Sequence, residues 1–372
     1  MTSPSDATSS DGVVDPPSPR AAIVGTGLIG SSIGLALRQR GWHVTGRDAN
    51  GAVARQALER GALDAIGEDP GAVVTFVATP VGAVAAEVAA VLAQPGLRPD
   101  AAVTDVAGVK APVVAGVTDA RFVGGHPMAG SEQVGVAGAD AALFTGATWV
   151  LTPTATTDPH CYARVRATVT SLGAEVIELS PERHDALVAV VSHVPHLTAA
   201  TLMNLADRVA EEHGALLRLA AGGFRDMTRV AAGSPAIWPD VCADNATAIL
   251  ETLDALVSEL IAMRALVAAG DRRGLLATLQ RAAAARRSLP AGAVRPERKA
   301  ELRVPVPDRP GVLAEITTLA ANLEVNIWDL EIAHSAEGDR GVLVLVVDAE
   351  AADRLAQAVA ARGYRATWTP LG

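Results

Sequence analysis

Three groups of residues in this chain have the types and spacing to do chemistry. The first centres on His126, in FVGGHPMAGSEQVG (122–135), just past a short apolar run and inside a glycine-rich loop. A neutral imidazole with an ordinary pKa of about 6.5 can take a hydroxyl proton while a hydride leaves the carbon bearing that hydroxyl. Ligands of open α/β sheets bind at the carboxyl ends of the strands. His126 therefore reads as a base rather than as a loop residue that merely caps backbone groups.

The second group lies upstream. Gly25-Thr26-Gly27-Leu28-Ile29-Gly30 follows the apolar run AAIV and opens SSIGLALRQR. Glycines at this spacing allow a tight turn and a close backbone approach to a pyrophosphate, which a helix N-terminus then faces. Asp48 ends the next run, HVTGRD. A carboxylate there accepts from ribose hydroxyls and repels a 2′-phosphate, which predicts NAD as the cofactor. Arg47, its neighbour, is a residue that could instead meet such a phosphate. Thr79 and Pro80 follow VVTFVA and are expected to border the nicotinamide side of the crevice, although Pro80 alone also reads as a strand-ending turn.

The third group is downstream. VVSHVPH (190–196) places Ser192, His193 and His196 around Pro195, a residue expected to kink a helix. The two histidines share a helical face, but no carboxylate or cysteine completes a ligand set nearby, so no metal is expected. One histidine is expected to line a substrate pocket with Ser192, and the other to pack inward. GGFRDMTRVAAGSPAIW (222–238) offers Arg225, Asp226, Arg229 and Trp238. Arg229 suits a bidentate contact with a substrate carboxylate, and Arg225 beside Asp226 suits an ion pair.

Elements must position these groups. Between 21 and 154, apolar runs alternate with helical patterns, which predicts βαβ crossovers and a mostly parallel, Rossmann-type sheet. From 155 to 290, strand signals fade after AEVIEL (174–179). Long Ala/Leu-rich stretches follow at 182–210 and 236–269, which predict an all-α domain that also makes a homodimer interface. Residues 291–299 read as a linker, and 1–20, rich in Ser, Pro and Asp, as a disordered tail without the apolar core of a signal peptide. Residues 300–372 read β-α-β-β-α-β, a ferredoxin-like module.

With 372 residues and 49% hydrophobic content, the chain is long enough for two or three domains with sizeable cores. Its net charge of −10 argues against nucleic acid or an anionic membrane as partner. No apolar run is read as long enough to span a membrane. The two cysteines, Cys161 and Cys242, lie far apart, so a cytoplasmic setting without a disulfide framework is expected.

Together these segments resemble the TyrA-type prephenate and arogenate dehydrogenases of tyrosine synthesis, followed by a C-terminal ACT domain. The resemblance covers about Ala21 to Leu289. It rests on GTGLIGSS, GGHPMAGSE, SPERHD followed by SHVPH, and GGFRDMTR with Trp238 trailing. It implies that His126 is the catalytic histidine that hydrogen-bonds the ring hydroxyl, and that Arg229 holds a substrate carboxylate. It also implies pocket roles for His196 and Ser131, and a place for Trp238 near the active site around a dimer interface. The tail's DRPGVL, Asp308 to Leu313, with Asn326 beyond it, resembles an ACT motif. That implies an aromatic amino-acid effector bound at Asp308, Gly311 and Asn326.

One position departs from the family pattern. Where a serine is usual in D-x-x-S-x-K, this chain has Asp105-Val106-Ala107-Gly108-Val109-Lys110. Losing that hydroxyl costs about 1–3 kcal/mol if nothing replaces it. The rival readings are an arogenate or dual-substrate dehydrogenase and a catalytically weak amino-acid sensor. A β-hydroxyacid dehydrogenase using a helical-domain lysine is disfavoured, because no lysine lies between Lys110 and Lys299.

Overall fold

A computed structural model describes residues 18–370 except 131–132, 134, 214–215, 289–298, 308 and 335–339. Most of the expected tail and linker, together with Ser131 and Asp308, lie outside the described residues. The chain divides into two compact units, 1–276 and 277–372.

The first unit is built on an eight-stranded sheet. Its strands are β1 (Arg20–Val24), β2 (His43–Arg47), β3 (Ala65–Ile66), β4 (Val74–Val77), β5 (Ala102–Asp105), β6 (Phe122–Pro127), β7 (Thr148–Thr152) and β8 (Glu175–Glu178), in the order β3-β2-β1-β4-β5-β6-β7-β8. The first six strands run parallel; β7 is antiparallel to β6, and β8 is parallel to β7. The order reverses between β1 and β4, which opens the switch-point crevice of a doubly wound sheet. Strands β4 and β5 are buried at every residue, as strands covered on both faces must be. Phe76, Phe144 and Trp149 meet edge-on or tilted in the core under the sheet. Because β8 pairs with β7, the sheet extends to Glu178 rather than stopping at the expected boundary of 154. The helix Pro159–Ser171, capped by Asp158, returns the chain to that edge.

Ser180 then caps Pro181–Val188. A π-helical turn, Ala189–His193, leads without a break into Val194–Glu212, with Pro195 in its first turn. The expected kink is thus a π turn, a form that recurs at functional sites. By length and composition alone the stretch Pro181–Glu211 is apolar enough to cross a membrane, a test that the core helix of a globular protein also passes. The stretch carries the histidines of the site described below. Helices Trp238–Asp244 and Ala246–Ala268 pack on it, and Ala189, Val194 and Ile249 form a small buried core between them. Outside that core the helices expose Val190, Val191, Leu260 and Ile261.

The second unit contains a four-stranded antiparallel sheet of β9 (Lys299–Pro307), β10 (Ile327–His334), β11 (Arg340–Asp348) and β12 (Thr367–Pro370), in the order β10-β11-β9-β12. Helices Val312–Asn322 and Ala349–Ala361 cover one face, with Leu302, Ile316, Leu345 and Leu355 fully buried between the layers. This is the ferredoxin-like β-α-β-β-α-β arrangement. Gly311 starts its first helix at φ +93°, a left-handed conformation that favours glycine.

Candidate active site

The dinucleotide turn follows β1. Gly25 has φ +89°, and a Cβ there would stand 2.5 Å from the Ala78 carbonyl oxygen. A Cβ at Gly30 would stand 2.0 Å from the Gly25 carbonyl oxygen, so both positions exclude any other residue. A Cβ at Gly27 would meet nothing within 4 Å, and the helix Leu28–Arg38 starts immediately after it. The turn therefore presents open space in front of a helix N-terminus, where a pyrophosphate fits. On β4's far end, Thr79 Oγ1 is buried without a hydrogen-bond partner, a polar group that a ligand amide or hydroxyl would satisfy. These features fit NAD.

Asp48 also braces the turn. Its Oδ2 accepts from Thr26 N at 2.8 Å, and its Oδ1 from Asn50 N at 2.9 Å. The carboxylate thus ties the glycine turn to the end of β2.

His126 lies near the end of β6. Strands β5 and β6 pair only at Val103–Phe122 and Thr104–Val123. Beyond that point, buried side chains take over the ladder. Asp105 Oδ1 accepts from Gly125 N at 3.0 Å, and Lys110 Nζ donates to Gly125 O at 2.8 Å. Lys110 also pairs directly with Asp105, both fully buried. Burial lowers the Lys110 pKa, opposed by the negative charges of Asp105 and Asp185. The backbone just before His126 is therefore held on both its polar groups.

The imidazole is held from behind. His126 Nδ1 lies 2.8 Å from His184 Nε2, and His184 Nδ1 lies 2.7 Å from Asp185 Oδ1. Asp185 also accepts from Lys110 N at 2.7 Å and Ala111 N at 2.8 Å, which docks the helical domain against the sheet. A carboxylate only accepts, so His184 Nδ1 carries a proton and His184 Nε2 is an acceptor. His126 must then donate from Nδ1, which leaves its Nε2 lone pair free. A Cβ at Gly108 would lie 3.8 Å from that Nε2. Burial, with positive charge at Lys110 and on the neighbouring histidines when protonated, holds the His126 pKa well below its usual value.

A cavity of about 480 Å³ opens in front of this nitrogen. It brings together the predicted Ile29, Thr79, Pro80, His126, Ser192 and Trp238, along with Gly108, His193 and Asp240. His193, rather than His196, is the histidine that lines it. His193 Nδ1 accepts from Asn245 Nδ2 at 3.2 Å, and burial pushes its pKa down to about 4. His196 is stacked against Trp238 at 3.7 Å between ring centroids, which removes it from the lining. Arg229 is exposed and is not part of the lining; among the described lining residues there is no cation.

Asp105 and Lys110 stood in the D-x-x-S-x-K pattern and His184 and Asp185 in SPERHD, but none of them, nor Asn245, had a role in the site assigned from sequence. The available signal was an isolated lysine five residues after an aspartate that ends a strand, and an adjacent His-Asp pair opening a helix.

A doubly wound sheet with a glycine turn, opening on a cavity with a free imidazole nitrogen, defines an NAD-dependent dehydrogenase. Residues 33–178 match the model of the prephenate dehydrogenase nucleotide-binding domain, and residues 180–281 that of the prephenate dehydrogenase dimerization domain. The chain belongs to the prephenate dehydrogenase family. Residues 302–361 match an AHAS small subunit-like ACT domain. A prephenate dehydrogenase of Bacillus subtilis is 34% identical over 86% of this chain and 90% of its own length. The crystal structure of prephenate dehydrogenase from A. aeolicus, in complex with hydroxyphenyl propionate and NAD+, covers 73% of this chain and 99% of its own at 29% identity, with a TM-score of 0.67. Synechocystis arogenate dehydrogenase covers 72% of this chain and 99% of its own at 33% identity, with a TM-score of 0.62.

Proposed function

We propose that this chain oxidatively decarboxylates prephenate to 4-hydroxyphenylpyruvate with NAD+, as a cytoplasmic homodimer serving tyrosine synthesis. The observation that carries the reading is the free Nε2 of His126, aimed into a cavity that also holds Ile29, Thr79 and Pro80 from the dinucleotide side. Bound NAD+ supplies the hydride acceptor. His126 Nε2 takes the ring hydroxyl proton as the C–H bond breaks, and the relay through His184 to Asp185 stabilises the imidazolium. The ring ketone then draws in the electron pair released with CO₂. His126 returns its proton to the phenolate oxygen, so no net proton is released. Trp238 and Ser192 line the space for the ring. Arg229 is assigned to a substrate carboxylate on the strength of its motif.

Arogenate is the second reading, favoured by one observation. Asp240 lines the cavity and would suit the ammonium that arogenate carries in place of a keto group. NADH formation by the purified chain, with prephenate and arogenate in parallel, separates the two. Silence with both would overturn the enzyme reading. For the ACT module we propose aromatic amino-acid binding at Asp308, Gly311 and Asn326. Tyrosine or phenylalanine should then alter the kinetics of the full chain, and removal of 300–372 should abolish the effect. An unchanged response after removal would place the amino acid at the active site instead.

A further inference from the structure

We propose that Glu87, assisted by Glu68, is a specificity-determining residue that occupies Arg47 and so makes this chain reject a 2′-phosphorylated dinucleotide. The inference rests on the reading of the glycine turn as the NAD site. Arg47 is the last residue of β2, and its carbonyl accepts from Gly25 N at 2.8 Å, which anchors it beside that turn. An arginine here is placed to meet a 2′-phosphate, since its planar guanidinium matches phosphate oxygens. In this fold the guanidinium is already taken. Arg47 Nη2 donates to Glu87 Oε2 at 2.6 Å, and Arg47 Nε lies 3.7 Å from Glu68 Oε1.

Glu87 lies on the helix Val81–Leu92 that follows β4, and the Arg47 and Glu87 side chains are each 30% exposed. The pair is thus partly shielded from water, where a charge-assisted hydrogen bond is stronger than at a free surface. With Asp48 next to it, the end of β2 gathers one cation and three carboxylates, a formal balance of −2. A 2′-phosphate would have to displace Glu87 from Arg47 and then sit among the released carboxylates. Adenosine with a free 2′-hydroxyl meets no such conflict. Asp48 adds its own negative charge beside the turn, where it accepts from Thr26 N and Asn50 N.

The test measures binding of NAD+ and NADP+ to the full chain by titration calorimetry, so it does not depend on turnover. Wild type should bind NAD+ more tightly, and Arg47→Ala should change NADP+ affinity by less than about twofold. The double variant Glu68→Gln/Glu87→Gln should tighten NADP+ binding by about tenfold or more, with NAD+ affinity little changed. That gain should vanish when Arg47→Ala is added. A double variant with no gain for NADP+ would overturn the proposal, as would a gain that survives Arg47→Ala. If the double variant fails to fold, Arg47→Ala alone still decides, because a loss of NADP+ affinity would show that Arg47 already serves the phosphate. Failure of wild type to bind NAD+ would instead sink the dinucleotide reading itself.

Discussion

Asp185→Asn is the substitution that most directly probes the relay behind His126. The native carboxylate faces three donors: His184 Nδ1 at 2.7 Å, Lys110 N at 2.7 Å and Ala111 N at 2.8 Å. An asparagine amide has one accepting oxygen, so in either orientation its NH₂ is forced against a donor. The anion that stabilises the charged relay is also gone. A hydrogen bond to a charged group contributes about 1.5–3 kcal/mol, and each 1.36 kcal/mol is tenfold in rate, so kcat should fall about 10- to 150-fold. If the new amide also flips the His184 tautomer, His126 Nε2 becomes a donor. The general-base contribution of about 10²–10⁴ is then lost. KM should stay within about threefold, because Asp185 is not among the residues that line the cavity. Loss of one of the two interface contacts should lower unfolding stability by about 1–3 kcal/mol, which leaves a protein of ordinary stability folded. The assay is steady-state NADH formation at saturating prephenate, with urea unfolding as the folding control. His184→Gln should give a similar loss, and the double variant should be no worse than either single one. A folded Asp185→Asn variant with kcat within threefold of wild type would refute the relay.

Other outcomes follow from the same geometry. Gly108→Ser places a hydroxyl on a Cβ that would stand 3.8 Å from His126 Nε2, and kcat should rise about 2- to 10-fold; no change would mean that another group already fills this role. Arg229→Ala should raise KM for prephenate about tenfold or more with kcat little affected, as removal of a uniform binding contact does. Equal kcat and KM in this variant would remove Arg229 from the site. His126 is held well below its usual pKa, so kcat should stay flat from neutral pH to below about 6.5 and fall only in acid, where the base becomes protonated. Stability should follow the same sign. His193 titrates at about 4 when folded and near 6.5 when unfolded, so the unfolded chain binds more protons between those values. The contribution of His193 is therefore complete above pH 6.5 and drains as pH falls toward 4, which urea titrations across that range would show.

The sequence by itself determined what local pattern controls. Glycine spacing at 25, 27 and 30 announced the dinucleotide turn, and at 25 and 30 no larger side chain fits against the Ala78 and Gly25 carbonyl oxygens. Period-2 and period-3.6 apolar patterns announced the alternating strands and helices, and a β-α-β-β-α-β string announced the terminal module. His126 was legible because a strand end and a glycine-rich loop flank it in sequence. Contacts between segments far apart in the chain were decided only in three dimensions. Lys110 was legible as the last position of the D-x-x-S-x-K pattern, but only burial placed it between Asp105 and Gly125 O. His184 and Asp185 stood in the SPERHD motif with no role assigned, yet they lie 58 and 59 residues from His126 in sequence and complete its relay. His193 and His196 share one helical face in sequence. Tertiary packing separated their roles by stacking Trp238 on one and leaving the other to line the cavity. Arg47 beside Asp48 left the 2′-phosphate question open, until Glu87 on another helix was found to hold the guanidinium. Local patterns report the conformation of their own segment; which distant charge or donor meets a side chain depends on how whole elements pack, and no short window of sequence contains that.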